Sequence, residues 1–197
     1  MAIKSLQHSS ITDNIFYRSM LAGNTAFDPG DEFLLEEQVL SSSAASVTFS
    51  GLEQYAGVYQ HLQIVVVGRA SLAGASVGVY SRLNADSGSN YNGHFLLGNG
   101  SAVSSGTTGT ATWGLSGLIS ANAMTAGNFG AAVIDLLDPF ETTKNKTLRT
   151  LGGATEANRI DLHSALWMNT ASVTSWTLYP EAFNWLTGSR FSLYGAK

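Results

Sequence analysis

The chain contains no cysteine in 197 residues. That absence excludes a disulfide framework, a thiolate zinc site, an iron–sulfur cluster and a cysteine nucleophile, and it leaves the redox compartment open. Charge is scarce too. Asp, Glu, Lys and Arg make up 12% of the chain, about half the usual quarter. With 44% apolar residues, this is not the composition of a disordered segment. A net charge of −4 argues against gripping a polyanion across a broad face, so no nucleic-acid partner is expected. Long hydrophobic runs are missing as well. Ile64–Val67 is as long as any, far below the ~18 residues of a membrane helix, and no membrane association is expected. Met1–Leu6 carries one lysine with no apolar stretch behind it. No secretion signal is read there, and a soluble product made in the cytosol is expected.

What is abundant is small and polar: 21 Gly, 24 Ser and 17 Thr, together 62 of 197 residues. Gly and Ser weaken helices, and Thr suits a pleated surface. Short alternating runs follow one another from Phe33 to the end. Ser46–Ser50 alternates cleanly. His61–Val67 begins as alternation and ends apolar on both sides, as a central strand would. Val77–Leu83, Trp113–Ile119, Phe129–Leu137, Thr147–Leu151, Ile160–Trp167, Val173–Tyr179 and Arg190–Tyr194 continue the series. Turn signals stand between them at Asn84–Gly88, Gly98–Gly100, Gly152–Gly153 and Thr187–Gly188. About ten such strands without helical intervals predict an all-β fold, an antiparallel β-sandwich of jelly-roll-like type, over residues 31–197. Ser101–Thr110, almost entirely Ser, Thr and Gly, is expected to be a flexible surface loop.

Residues 1–30 have a different pattern. Ser10–Asp13 resembles a capping box, and Ile11, Ile15, Phe16, Met20 and Leu21 follow at roughly helical spacing until Gly23-Asn24. Three turns are marginal alone in water, so this arm needs a surface to lie on. Ile11, Ile15, Phe16, Tyr17, Met20 and Leu21 are its expected partner-binding residues. Asp28–Asp31 reads as the turn that separates arm from body.

Patterns for chemistry are weak. Gly74-Ala75-Ser76-Val77-Gly78 matches a nucleophile elbow, but the elbow needs a helix after the serine, whereas here a strand continues. Asp161 and His163 follow in the right order, yet they sit two apart on one strand. A bend with small residues is the reading taken. Asp86–Asn90 has oxygen side chains at alternate positions, without the glutamate that closes a calcium loop. Asp135, Asp138 and Glu141 converge only if a strand ends between the first two. Turn caps are the alternative for both clusters, and no metal or other cofactor is expected. His8, His61, His94 and His163 form no ligand spacing. Lys144 and Lys146 read as a solvated edge strand that uses lysine against edge-to-edge pairing, with Arg149 and Arg159 nearby. Trp167 and Trp176 fall within alternating runs and are expected in the core. Trp113 and Trp185 lie near loops and are the candidates for surface recognition.

Ser9–Asn24, Val47–Ser50, His61–Ile64, Asn90-Tyr91 with His94 and Gly98-Asn99-Gly100, Asp135 with Lys144–Thr147, and the ending Gly188–Gly195 together resemble small virion proteins of tailed bacteriophages. The resemblance spans nearly the whole chain, and its motifs are structural. It implies a place in the phage particle and no catalytic residues. The expectation is a capsid decoration (cement) protein, non-enzymatic and trimeric, whose arm clamps the major capsid protein. A tail fibre or spike component touching the host surface, and a carbohydrate-binding sandwich, are the alternatives.

Overall fold

A computed structural model of the chain describes residues 32–197. The arm residues Ile11, Ile15, Phe16, Tyr17, Met20 and Leu21 therefore lie outside the described residues. Twelve strands fill the described part: β1 (Glu32–Val39), β2 (Val47–Ser50), β3 (His61–Gly68), β4 (Ser76–Leu83), β5 (Tyr91–Gly98), β6 (Val103–Thr107), β7 (Gly114–Ser120), β8 (Gly130–Leu137), β9 (Lys146–Ala154), β10 (Arg159–Trp167), β11 (Ser175–Pro180) and β12 (Arg190–Ala196). They form two antiparallel sheets. The large one has the order β1-β12-β3-β8-β9-β10-β5-β6, and the small one β2-β11-β4-β7.

Setting aside the β5–β6 and β9–β10 hairpins leaves two four-stranded sheets, β1-β12-β3-β8 and β2-β11-β4-β7. The chain then pairs its first strand with its last, its second with its second-last, and so on inward to β4 with β7. This nested pairing of two Greek keys is the jelly roll. The two hairpins add on beyond β8 and pair with each other through β10 and β5. They lengthen one sheet only. β7, the free edge of the small sheet, packs over β8, β9 and β10, and β5–β6 continue past it.

The core lies between the sheets because the alternation places it there. In β3, Leu62, Ile64 and Val66 are fully buried, while the residues between them are only partly so. Ile134, Leu136, Phe191 and Leu193 join them from the large sheet, facing Phe49, Val79, Trp176 and Leu178 of the small one. Buried Trp167 and Trp176 match their expected core positions.

Three expectations are corrected. Ser101–Thr110 is not a loop throughout, since Val103–Thr107 forms the edge strand β6. Its backbone pairs with β5 from Gly98↔Val103 to His94↔Thr107. Ser and Thr suffice there because an edge strand needs ladder bonds more than burial. Gly106 makes room for Phe95, whose Cζ would lie 2.7 Å from a Cβ at that position. Lys146 does not lie on a solvated edge. β9 is central, and the Lys146 side chain is fully buried. Its Nζ donates to the carbonyls of Glu141, Lys144 and Thr170 at 2.5, 2.9 and 3.0 Å, and burial pushes its pKa down. Trp185 is not a surface residue. It is fully buried, set edge-on against Phe191 at 4.9 Å, and its Nε1 donates to the Leu178 carbonyl at 3.3 Å.

Candidate functional site

The outer face of the large sheet departs from the usual rule that an antiparallel sheet is apolar inside and polar outside. Registers set Val65 opposite Val133, Val133 opposite Leu151, Leu151 opposite Leu162, and Leu162 opposite Leu96. This is one apolar row across five strands. Four of its members are 36%, 53%, 49% and 45% exposed, in the order Val133, Leu151, Leu162, Leu96. The next row on the same face runs Val67, Ala131, Gly153, Ile160, Gly98, Val103. Ile160 and Val103 stand out from it at 62% and 72% exposure.

The first row is large throughout and the second mixes small residues with large ones, so the face is a trough rather than a plane. Gly98, Ala131 and Gly153 form its floor, with Leu151, Val133 and Ile160 as walls, around a cavity of about 600 Å³. A second hollow of about 200 Å³ adjoins it between Leu96, Val103 and Leu162. Asn158, Arg159 and Thr155 rim the first. On the other side lies a polar row. There Gln63 donates to Asp135 at 2.8 Å, and the Arg149 Nε and Nη2 donate to the other Asp135 oxygen at 2.9 and 2.8 Å. Six large side chains at roughly half exposure amount to several hundred Å² of contiguous apolar surface, the upper end of what a soluble monomer carries without a use for it.

Beneath this face, pointing inward, lies a buried polar pair. Asp161 and His163 of β10 are almost wholly buried. Asp161 Oδ2 is 2.7 Å from His163 Nε2, at an angle that misses hydrogen-bond geometry. The same oxygen accepts the backbone N–H of Leu118 at 3.2 Å. Leu118 belongs to β7, so the carboxylate caps a donor on the open edge of the small sheet. It fits because Gly152 and Gly117 present no side chain. A Cβ on Gly152 would stand 3.0 Å from Asp161 Oδ2. Gly117 has φ +106°, a backbone that only glycine adopts freely. Sequence reasoning placed these two side chains on the same side of one strand, as they are. The partner that explains them is 43 residues away in the chain.

Ser76 opens β4 opposite Ser120, and no hydrogen bond joins it to Asp161 or His163, so the elbow is not assembled. Asp86 is a turn-building group. It accepts from the Gly88 backbone N–H, Asn90 and the Trp167 indole at 2.8, 2.8 and 2.7 Å, and its carboxyl is held below the usual range. Asp135 and Asp138 do not converge. Asp138, after β8 ends, pairs with Lys144 at 2.5 Å and lies 3.5 Å from His61. Its carboxyl is held low by the Lys144 ammonium. Among the described residues no cluster of three or more His, Cys, Asp or Glu is placed to hold a metal ion, and no helix is long and apolar enough to cross a membrane. Trp113 is half-buried and stacks on Tyr80 with ring centroids 3.9 Å apart and planes within 4°. One of its faces is thereby used inside the protein.

No protein-family model, no curated protein and no solved structure matches the chain.

Proposed function

We propose that the protein is a structural subunit of a bacteriophage particle, a capsid decoration protein that works by docking and carries out no reaction. The observation that supports this most is the apolar trough on the outer face of the large sheet. The two added hairpins widen a jelly roll on one side only, and their outward residues Leu151, Ile160, Leu162 and Leu96 are apolar where solubility alone calls for polar ones. Jelly rolls serve in capsids, lectins and cupins, so the architecture does not choose among them. The resemblance of the chain to small tailed-phage virion proteins supports a place in the phage particle. The carbohydrate reading loses one of its two aromatic residues with Trp185 in the core.

In this reading the shell is contacted twice, by the arm through Ile11, Ile15, Phe16, Tyr17, Met20 and Leu21, and by the trough. A trimer about a shell axis brings three copies of both surfaces to bear, which multiplies weak contacts into stable attachment. The test is to locate the subunit in purified particles by electron cryo-microscopy and to count copies by quantitative mass spectrometry. Hundreds of copies on the shell are expected. A few dozen copies confined to the tail would replace this reading with the tail-fibre one. Absence from the particle would end both.

A further inference from the structure

We infer that in the free protein the trough on the large sheet is the seat of the chain's own amphipathic segment, residues 11–21, so that the two adhesive surfaces cover each other until assembly separates them.

The first ground is fit. A helix over residues 11–21 is about 17 Å long. The apolar row from Val65 to Leu96 crosses five strands, about 19 Å at the inter-strand spacing. Ile11, Ile15, Phe16, Met20 and Leu21 recur at the spacing that gives one apolar side. A row of branched side chains beside a floor of Gly and Ala is the relief that such a side packs into.

The second ground is reach. The described chain starts at Glu32 on β1, the edge of the same sheet. Glu32 is level with Ala196 and Ala196 with His61, so Glu32 lies four residues along and two strands across from Val65, the near end of the row. That is a diagonal of about 17 Å. The ten residues 22–31 extend up to about 33 Å, enough to make the connection with slack. A tether of this length holds the segment at millimolar effective concentration near its own trough, whereas a second copy's segment arrives only at the bulk concentration. The intramolecular occupant is therefore favoured over a neighbour's arm.

The absence of cysteine makes the test clean. In the full chain, Phe16→Cys is combined with Leu162→Cys, and separately with Phe183→Cys, a control on an exposed loop after β11. Both proteins are oxidised at micromolar concentration. The expected result is a within-chain disulfide in the first pair, at a yield independent of protein concentration, and little or none in the control. Disulfides only between chains, rising with concentration, would assign the trough to a second copy and overturn the inference; so would equal yields in both pairs, or no disulfide in either. A second measurement needs no disulfide. Trypsin cleavage after Arg18 should be at least about tenfold faster in the Leu151→Asp, Leu162→Asp variant than in the unaltered chain, and equal rates would overturn the inference. Both substitutions are on an exposed face, so the body remains folded. Failure here leaves the particle role intact, because that role is read from particles and this one from the free chain.

Discussion

Asp161→Ala should be among the most damaging single substitutions in the chain although it touches no exposed surface. Its carboxylate is the partner of the Leu118 N–H and the neighbour of a buried histidine. Truncation leaves that N–H dry, at roughly 1–3 kcal/mol. It also removes the side chain that lies against buried His163 and leaves a small void there. Together about 3 kcal/mol is expected, a large part of the 5–15 kcal/mol that domains possess. For a domain of this size, with a urea slope of about 2 kcal/mol/M, the unfolding midpoint should drop by about 1.5 M. Asp161→Asn retains an acceptor for Leu118 and should lose less than half as much. A drop under 0.5 M for alanine, or equal damage from asparagine, would refute the assignment of Asp161 as the cap of the β7 edge.

Lys146→Met removes the donor that three carbonyls share and should cost about 3 kcal/mol, read as a fall in Tm of roughly 8 °C; a fall under 2 °C contradicts the buried role. Tyr91 is fully buried, its hydroxyl accepts the Leu83 N–H at 2.9 Å, and burial pushes its pKa up to about 12. The unfolded chain loses that proton near pH 10, so the stability tied to the neutral phenol is intact below pH 10 and is lost as pH rises through about 12. In urea titrations at pH 8 and pH 11.5, Tyr91→Phe should be the less stable protein at the lower pH and should show a smaller decline between the two. An equal decline would show that another group sets the alkaline limit. Replacing Ile15 and Phe16 together by Asp should abolish attachment to the particle while leaving the circular dichroism of the body unchanged, and normal incorporation would remove the arm from the docking account.

How much of this was legible in the sequence depended on how local each cause is. Alternation in Val47–Ser50 and His61–Val67 is a property of neighbouring residues, and both strands form where it says. The apolar second side of β3, read as a sign of a central strand, comes from Val65 and Val67 joining the outer rows. β1 escaped notice because an edge strand carrying Glu32, Glu36 and Glu37 lacks the apolar signal that marks buried ones, and β6 because Ser and Thr at an edge look like a linker. The trough itself was not legible. Val133, Leu151, Leu162 and Leu96 are each an ordinary single residue in its own strand. Only the order β8-β9-β10-β5, set by pairings across as many as 66 residues between Leu96 and Leu162, lines them up. Lys146 and Trp185 misled for a related reason. Both stand beside turns, where exposure is the common outcome, and both are drawn inward by partners that proximity in sequence does not reveal: the Thr170 carbonyl for one, and Phe191 with the Leu178 carbonyl for the other.

The central claim is that the outer face of the large sheet is a contact surface, and one competition tests it most directly. Particles lacking the protein are mixed with equal amounts of unaltered chain and of the Leu151→Asp, Leu162→Asp variant, and the bound ratio is read by mass spectrometry. Covering half of each leucine contributes about 1 kcal/mol, and desolvating two carboxylates opposes binding further. The account predicts at least a thirtyfold excess of unaltered chain on the particle. Incorporation of the two in equal amounts would contradict it.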